Sequence, residues 1–223
     1  MKFALFDLDG TLLDGDTDEL WCEFLMQQGV LDRVSFEARN RSVVERYAAG
    51  AIEPTEFCAF YASTLAGRSA LEWSPWRERF VREAIAPRIG AAAHALVTGH
   101  RDAGERVVLT TATNRFLTEP IAVLLGIAGA DLIATGLEQI EGRFTGANEG
   151  VLNMREGKVL RLVAWLKAQG IAETALADAS FYSDSSNDLP LLGAVAHPVV
   201  VDPDERLRRE AGERGWPVIG LPR

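Results

Sequence analysis

Residues 2–8 form a short apolar run that Gly10 cuts off, the pattern of a buried strand. From Asp16 to Ala86 the texture changes: apolar positions recur at helical spacing with no β-branched run. Leu20, Phe24 and Leu25 fit one helical face, and Val43, Val44 and Tyr47 another. Pro54 suits a helix start and is followed by Phe57, Phe60 and Tyr61 at helical offsets. Beyond this helical block, strands and helices alternate. Residues 87–103 predict an amphipathic helix with Ile89, Leu96 and Val97 inward, closed by Gly104. Residues 106–111 ("RVVLTT") read as a buried strand. A helix is predicted to start at Thr118-Glu119-Pro120 and stop at Gly126. Residues 131–135 form a further strand, and 139–145 a hairpin turning at Gly142. Residues 156–169 read as a helix ended by Gly170, and 179–183 as a strand. Residues 187–192 open a helix with Pro190 in its first turn, and 198–201 form a last strand.

Strand alternating with helix predicts an α/β fold: a Rossmann-like parallel sheet with helices on both faces. The helical block interrupts that pattern after the first strand. The expected division is therefore an α/β catalytic core of residues 1–14 and 87–223, and an inserted all-helical cap of residues 15–86 above the carboxyl end of that strand. The length of 223 residues suits one core plus an insertion.

Composition narrows the function. With 48% hydrophobic residues the chain can bury a real core. The formal net charge of −9 and the lack of a basic cluster argue against nucleic-acid and membrane partners. No apolar run approaches the ~20 residues of a membrane span. Asp7 and Asp9 break up any signal-peptide pattern, so a cytoplasmic location is expected. Cys22 and Cys58 read as reduced thiols.

The acidic residues carry the chemistry. Parallel sheets bind ligands at the carboxyl ends of their strands. Asp7 and Asp9 fall at that end of the first strand, and Asp184 and Asp188 follow another, in "FYSDSSNDLPLL". Two like charges ~4 Å apart repel by about 4 kcal/mol at an effective dielectric of 20, so such a cluster invites a cation. A hard divalent ion with oxygen ligands, such as Mg²⁺, is the usual remedy. Asp188 also fits a helix cap, and Asp14, Asp16 and Asp18 fit loop and first-turn positions. Asp7 does not fit a cap, because an unpaired carboxylate on an apolar strand is costly. Thr111 ends a strand and places a hydroxyl at the same edge. Lys158 sits near a helix N-terminus, against the helix dipole, although a surface lysine is the plain alternative.

Asp7-Leu8-Asp9-Gly10-Thr11, then Thr111, Lys158 and Asp184-x-x-x-Asp188 together resemble the four motifs of the haloacid dehalogenase superfamily, in order and spacing. The helical insertion after the first motif is similar to its phosphoserine-phosphatase-like branch. "TATNRF", "REGKV" and "YSDSSNDLPLL" look like a phosphatase-type subgroup. The resemblance implies a Mg²⁺-dependent phosphatase acting on a small-molecule phosphate monoester. Asp7 would be the nucleophile that forms an aspartyl-phosphate, and Asp9 the general acid and base. Thr111 and Lys158 would bind phosphoryl oxygens. Metal would be held by Asp7, Asp9 (through its carbonyl) and Asp184, with Asp188 either a further ligand or a partner that orients the ligands. Gly10 would offer its N–H to the phosphate, and Ala112 and Asn187 would add substrate contacts.

Phosphoserine phosphatases carry a glutamate shortly after the first motif to bind the substrate amine, and Asp16 stands there in this chain. Their cap arginine for the substrate carboxylate has no counterpart in residues 53–65, which contain no Lys or Arg, although Arg41, Arg46 or Arg68 could substitute. Trp21, Phe57, Phe60 and Tyr61 could offer a flat surface to a ring, or could be cap core. An amine-bearing substrate such as histidinol phosphate or phosphoserine is expected. A phosphotransferase using the same aspartyl-phosphate, and a non-catalytic interaction module, are the alternatives. Hinges are expected near Asp14-Gly15 and Ala86-Pro87.

Overall fold

A computed structural model describes residues 2–48 and 51–222. Strand β1 (Phe3–Phe6) is followed by helices α1 (Thr17–Gln27), α2 (Arg33–Ala48), α3 (Pro54–Ala62) and α4 (Ala70–Phe80). The last runs on through a π-helical turn, Val81–Ile85. Alternation then resumes with α5 (Ala91–Asp102), β2 (Arg106–Asn114), α6 (Arg115–Leu124), β3 (Leu132–Ile140) and β4 (Arg143–Glu149). The chain closes with α7 (Glu156–Ala168), β5 (Ser180–Ser183), the short α8 (Leu189–Leu192), β6 (His197–Val201), α9 (Glu205–Arg214) and β7 (Val218–Ile219). No helix among the described residues is long and apolar enough to cross a membrane.

The seven strands run in the order β4-β3-β2-β1-β5-β6-β7. All neighbours are parallel except the β3–β4 hairpin, which turns through Glu141 and Gly142, both at positive φ. β1 is central and fully buried. Its Phe3 and Leu5 join the apolar cluster on one face, and its Ala4 and Phe6 the cluster on the other. From β1 the chain builds the sheet outwards through β2, β3 and β4 on one side, then crosses back to add β5, β6 and β7 on the other. A crevice therefore opens at the carboxyl end of β1, the position where doubly wound sheets bind ligands.

Two features describe how the helical segment sits on the sheet. α1 and α4 share one continuous hydrophobic cluster with a face of the sheet, whereas Phe36 of α2 and Phe60 and Tyr61 of α3 form a small cluster of their own with Cys22. The two chain crossings near Asp14 and Arg88 are also bonded to each other, Asp14 N–H donating to the Arg88 carbonyl at 3.0 Å.

Helix α6 begins at Arg115 rather than near Thr118, with Asn114 as its cap, and Pro120 lies inside it. Proline at that position cannot donate to the carbonyl of Phe116. The Arg77 guanidinium of α4 takes that carbonyl instead, at 2.9 Å.

Candidate active site

Asp7 continues the β1 ladder by one residue: its N–H donates to the Tyr182 carbonyl of β5 at 2.9 Å. The strand therefore aims the carboxyl into the crevice, where it is 6% exposed. Lys158, in the first turn of α7, is 2% exposed and bridges two carboxylates: Nζ lies 2.8 Å from Asp7 Oδ1 and 2.6 Å from Asp188 Oδ2. Ser183 Oγ donates to the same Asp188 oxygen at 2.7 Å. The Thr11 hydroxyl lies 2.8 Å from Asp184 Oδ1 and 3.5 Å from Asp7 Oδ2, so it stands between those two acids. Gly10, at φ +72°, turns the chain away; a Cβ there would fall 2.1 Å from Asp184 Oδ2. Its own N–H, expected to face a phosphate, donates to the Gly15 carbonyl at 3.0 Å as the loop closes on itself.

Charge in this cluster is unbalanced. Burial would push the Lys158 ammonium down, but Asp188 and Asp7 outweigh it and hold it well above its ordinary value. Burial pushes the Asp7 carboxyl well up; Lys158 opposes this, and Asp188, Asp184 and Asp9 add to it. Burial likewise lifts Asp184 to about 6, against the Thr11 hydrogen bond. These directions are compatible because one ammonium is shared between Asp7 and Asp188, with Asp184 and Asp9 adding negative charge nearby. An oxygen-rich, net negative crevice of this kind fits a hard cation. Among the described residues no three His, Cys, Asp or Glu side chains form a ready-made cage. The fit is therefore to a few carboxylates completed by other oxygens.

The Asp9 side chain faces away from Lys158. Its Oδ1 accepts from the N–H of Thr17 at 2.7 Å and from the Thr17 hydroxyl. Its Oδ2 accepts from the hydroxyls of Thr111 at 3.2 Å and Thr113 at 2.8 Å. Thr111 is fully buried beneath Asp9. Thr17 opens α1, so Asp9 ties the carboxyl end of β1 to the helical segment. Asn153, also fully buried, donates through Nδ2 towards Thr110 Oγ1 and the carbonyls of Thr111 and Ile133, each 2.9 Å away. It stitches the loop before Lys158 to the ends of β2 and β3, where their ladder shifts register.

Above these residues lies a cavity of about 380 Å³. Asp7, Asp9, Gly10, Ala112, Lys158, Asp184, Asn187 and Asp188 line its floor and walls, and Asp16, Asp18, Tyr47, Phe57, Cys58 and Tyr61 its roof and rim. Asp16 caps α1 by accepting from Glu19 N–H at 2.9 Å. Surrounding protein and then Asp9 lift its carboxyl to about 7, an effect that solvent tempers because Asp16 is exposed. Asp18 is half-buried, and Asn114 Nδ2 approaches it at 3.4 Å.

Trp21 does not line the cavity. It is 1% exposed, packs edge-on against Trp73 and Phe80, and donates from Nε1 to Thr64 Oγ1 at 3.2 Å. Its face of α1 is the one turned into the shared apolar cluster. Phe60 is likewise packed between helices, stacking on Phe36. Sequence reasoning missed Thr11, Thr17, Thr113, Asn153 and Ser183. Thr113 had a usable signal, lying two residues beyond Thr111 on the same strand face; the others meet their partners only through tertiary contact.

A model of the haloacid dehalogenase-like hydrolase family matches residues 4–193. The histidinol-phosphatase of Neisseria meningitidis serogroup C (strain 8013) is 38% identical over 221 residues, covering 99% of each chain. The phosphoserine phosphatase SerB1 of Mycobacterium tuberculosis is 32% identical over 225 residues, 96% of this chain and 69% of that one. Among solved structures, a Bordetella pertussis Tohama I protein of unknown function superposes with a TM-score of 0.92 at 43% identity, covering 98% of this chain and 97% of that one. A substrate-bound phosphoserine phosphatase shares the fold, with a TM-score of 0.68 at 19% identity and coverage of 98% and 92%.

Proposed function

The chain belongs to the haloacid dehalogenase-like hydrolase family, and on that premise we propose that it is a Mg²⁺-dependent phosphatase of a small, amine-bearing phosphate monoester. The observation that carries the reading is the buried bridge Asp7–Lys158–Asp188, which leaves Asp7 Oδ2 facing the cavity side with Thr11 and Asp184. A buried ion pair of this kind is poor evidence of stability, because desolvation offsets attraction. Its presence at the ligand-binding edge of the sheet favours chemistry instead.

Asp7 Oδ2 attacks phosphorus, the P–O ester bond breaks, and its electron pair leaves with the alkoxide. Lys158 binds a phosphoryl oxygen and favours the ionised form of Asp7. Asp9 gives its proton to the alkoxide, then accepts one from the water that attacks the aspartyl-phosphate, and Asp7 is released. Asp9 must turn from its threonine partners to do this, and its bond to Thr17 couples that turn to α1. Asp7, Asp184 and the Asp9 carbonyl would hold Mg²⁺, with Asp188 steadying the set through Lys158. Bound there, the ion would supply positive charge to the phosphoryl oxygens.

Residues 15–86 act as a cap over a core of 1–14 and 87–223, with hinges near Asp14-Gly15 and Ala86-Pro87. The acids on the cavity rim, Asp16 and now Asp18, take the substrate amine, and Phe57 and Tyr61 offer faces for a ring. The absence of Lys and Arg from residues 53–65 disfavours a substrate carboxylate. Histidinol phosphate, the substrate named by the Neisseria relative, meets each of these demands, and phosphoserine meets fewer. The test is a hydrolysis panel of histidinol phosphate, phosphoserine and p-nitrophenyl phosphate, with Mg²⁺ and with EDTA. We expect histidinol phosphate to have the highest kcat/KM and EDTA to stop turnover; metal-independent hydrolysis would overturn the metal, and a preference for phosphoserine the substrate.

A further inference from the structure

Arg155 directly precedes α7 with φ +51° and ψ −128°. That backbone suits glycine and strains any residue with a side chain, so the arginine is held there against a penalty. Its side chain is exposed yet engaged on two sides. Nε donates to Asn187 Oδ1 at 3.1 Å, and Nη2 donates to Tyr47 Oη at 2.9 Å. Asn187 is a wall of the cavity from the loop after β5, and Tyr47 is a wall from α2. Tyr47 also stacks on Phe57, another lining residue, with ring centroids 4.3 Å apart, and its hydroxyl lies 3.9 Å from Met154 Sδ. Helix α2 buries little apolar surface: Phe36 is its one buried apolar residue among those described, with Val43 half-buried, and its other ties run to the helices beside it, among them Arg33 to Glu23 and the Tyr61 hydroxyl to Asn40 Oδ1 at 3.0 Å.

We propose that Arg155 is a positioning residue whose guanidinium clasps Tyr47 of the helical segment to Asn187 of the α/β part, setting the closed shape of the cavity around its ligand. The planar fork reaches both partners at once, which an ammonium would not do equally well.

The test compares wild type with Arg155→Gly, Arg155→Lys, Tyr47→Phe and the Arg155→Gly/Tyr47→Phe double variant. Arg155→Gly removes the strain, so its thermal midpoint should hold or rise. Its KM for the best phosphate monoester should rise about fivefold to tenfold, with kcat changed far less. Arg155→Lys should fall between the two. The double variant should be no worse than Arg155→Gly alone, because both changes break one contact. A second arm is independent of the phosphatase reading on which the kinetic arm rests: iodoacetamide labelling of Cys58, a cavity-lining thiol, read by peptide mass spectrometry. Labelling should quicken by a similar factor in Arg155→Gly. Unchanged labelling, additive losses in the double variant, or a lowered midpoint with unchanged KM would overturn the clasp. If wild type hydrolyses no ester, the phosphatase reading fails, and the Cys58 rates still decide the clasp.

Discussion

The α/β part and the helical segment contribute to the same cavity in opposite ways. The α/β part presents Asp7 and Asp184 from strand ends whose register is fixed by neighbours on both sides, and Lys158 from a helix locked beneath them. Each of those groups is bonded to another protein group. The helical segment presents Asp18, Tyr47 and Phe57 from helix surfaces; Phe36 of α2 and Phe60 and Tyr61 of α3 pack in a separate small cluster, while Ala62 at the end of α3 joins the cluster on the sheet. A rigid edge suits groups that must meet phosphorus within a fraction of an ångström. A lightly packed roof suits groups that select a substrate and let it in. Substitutions below the cavity should therefore destroy chemistry, and those above it should shift affinity.

The largest effect is expected from Asp7→Asn, which should lower kcat by roughly four orders of magnitude or more while the fold persists. Far-UV circular dichroism and initial rates check both halves; substantial turnover by the variant would break the division. Lys158→Ala leaves Asp7 and Asp188 buried without their cation. It should abolish turnover and cost about 3–5 kcal/mol in urea unfolding. Trp21→Ala sharpens the comparison from the other side. The residue lies in the apolar cluster common to α1, α4 and the sheet, so stability should fall by about 3–5 kcal/mol while KM of the folded fraction stays near that of wild type. A large rise in KM would return Trp21 to the cavity.

Asp18→Asn should have the mildest effect. KM for an amine-bearing ester should rise about tenfold, and KM for p-nitrophenyl phosphate should not change. The same variant has a pH signature. Burial first, then Asp16 and Asp9, hold the Asp18 carboxyl well above its ordinary value of 3.8. The folded protein thus binds that proton more tightly than the unfolded chain, and the stability it brings at low pH is lost as pH climbs past the ordinary carboxylate range. Asp18→Asn should flatten the stability profile as pH rises above about 4; an unchanged slope would remove Asp18 from that titration.

How much was legible in the chain follows the same division. Strands buried on both faces announce themselves as continuous apolar runs, so β1, β2 and β5 and the acids that follow them were readable from local pattern. Ends of elements were less so. α6 starts earlier than Thr118 because Asn114 caps it and a distant arginine takes the carbonyl that Pro120 leaves free. The last helix and strand, α9 and β7, were not anticipated: α9 is largely charged, with Leu207 and Ala211 as its buried residues, and β7 has only two residues. Within the site, Asp9 and Thr111 were readable and Thr113 left a signal two residues further along the same strand, but Thr17 left none, since it meets Asp9 only where the chain turns back into α1. Trp21 and Phe57 show the limit most plainly. Both are aromatic residues on amphipathic helices, and only the direction of each helix face decides that one packs inside and the other lines the cavity.

The central claim is that Asp7 bonds covalently to phosphorus. Quenching the enzyme during turnover with sodium borohydride would reduce an aspartyl-phosphate to homoserine, which peptide mass spectrometry can place in the sequence. The account predicts homoserine at position 7 alone, absent from Asp7→Asn. Turnover without any homoserine at position 7, or with it at position 9 or 184, would contradict it.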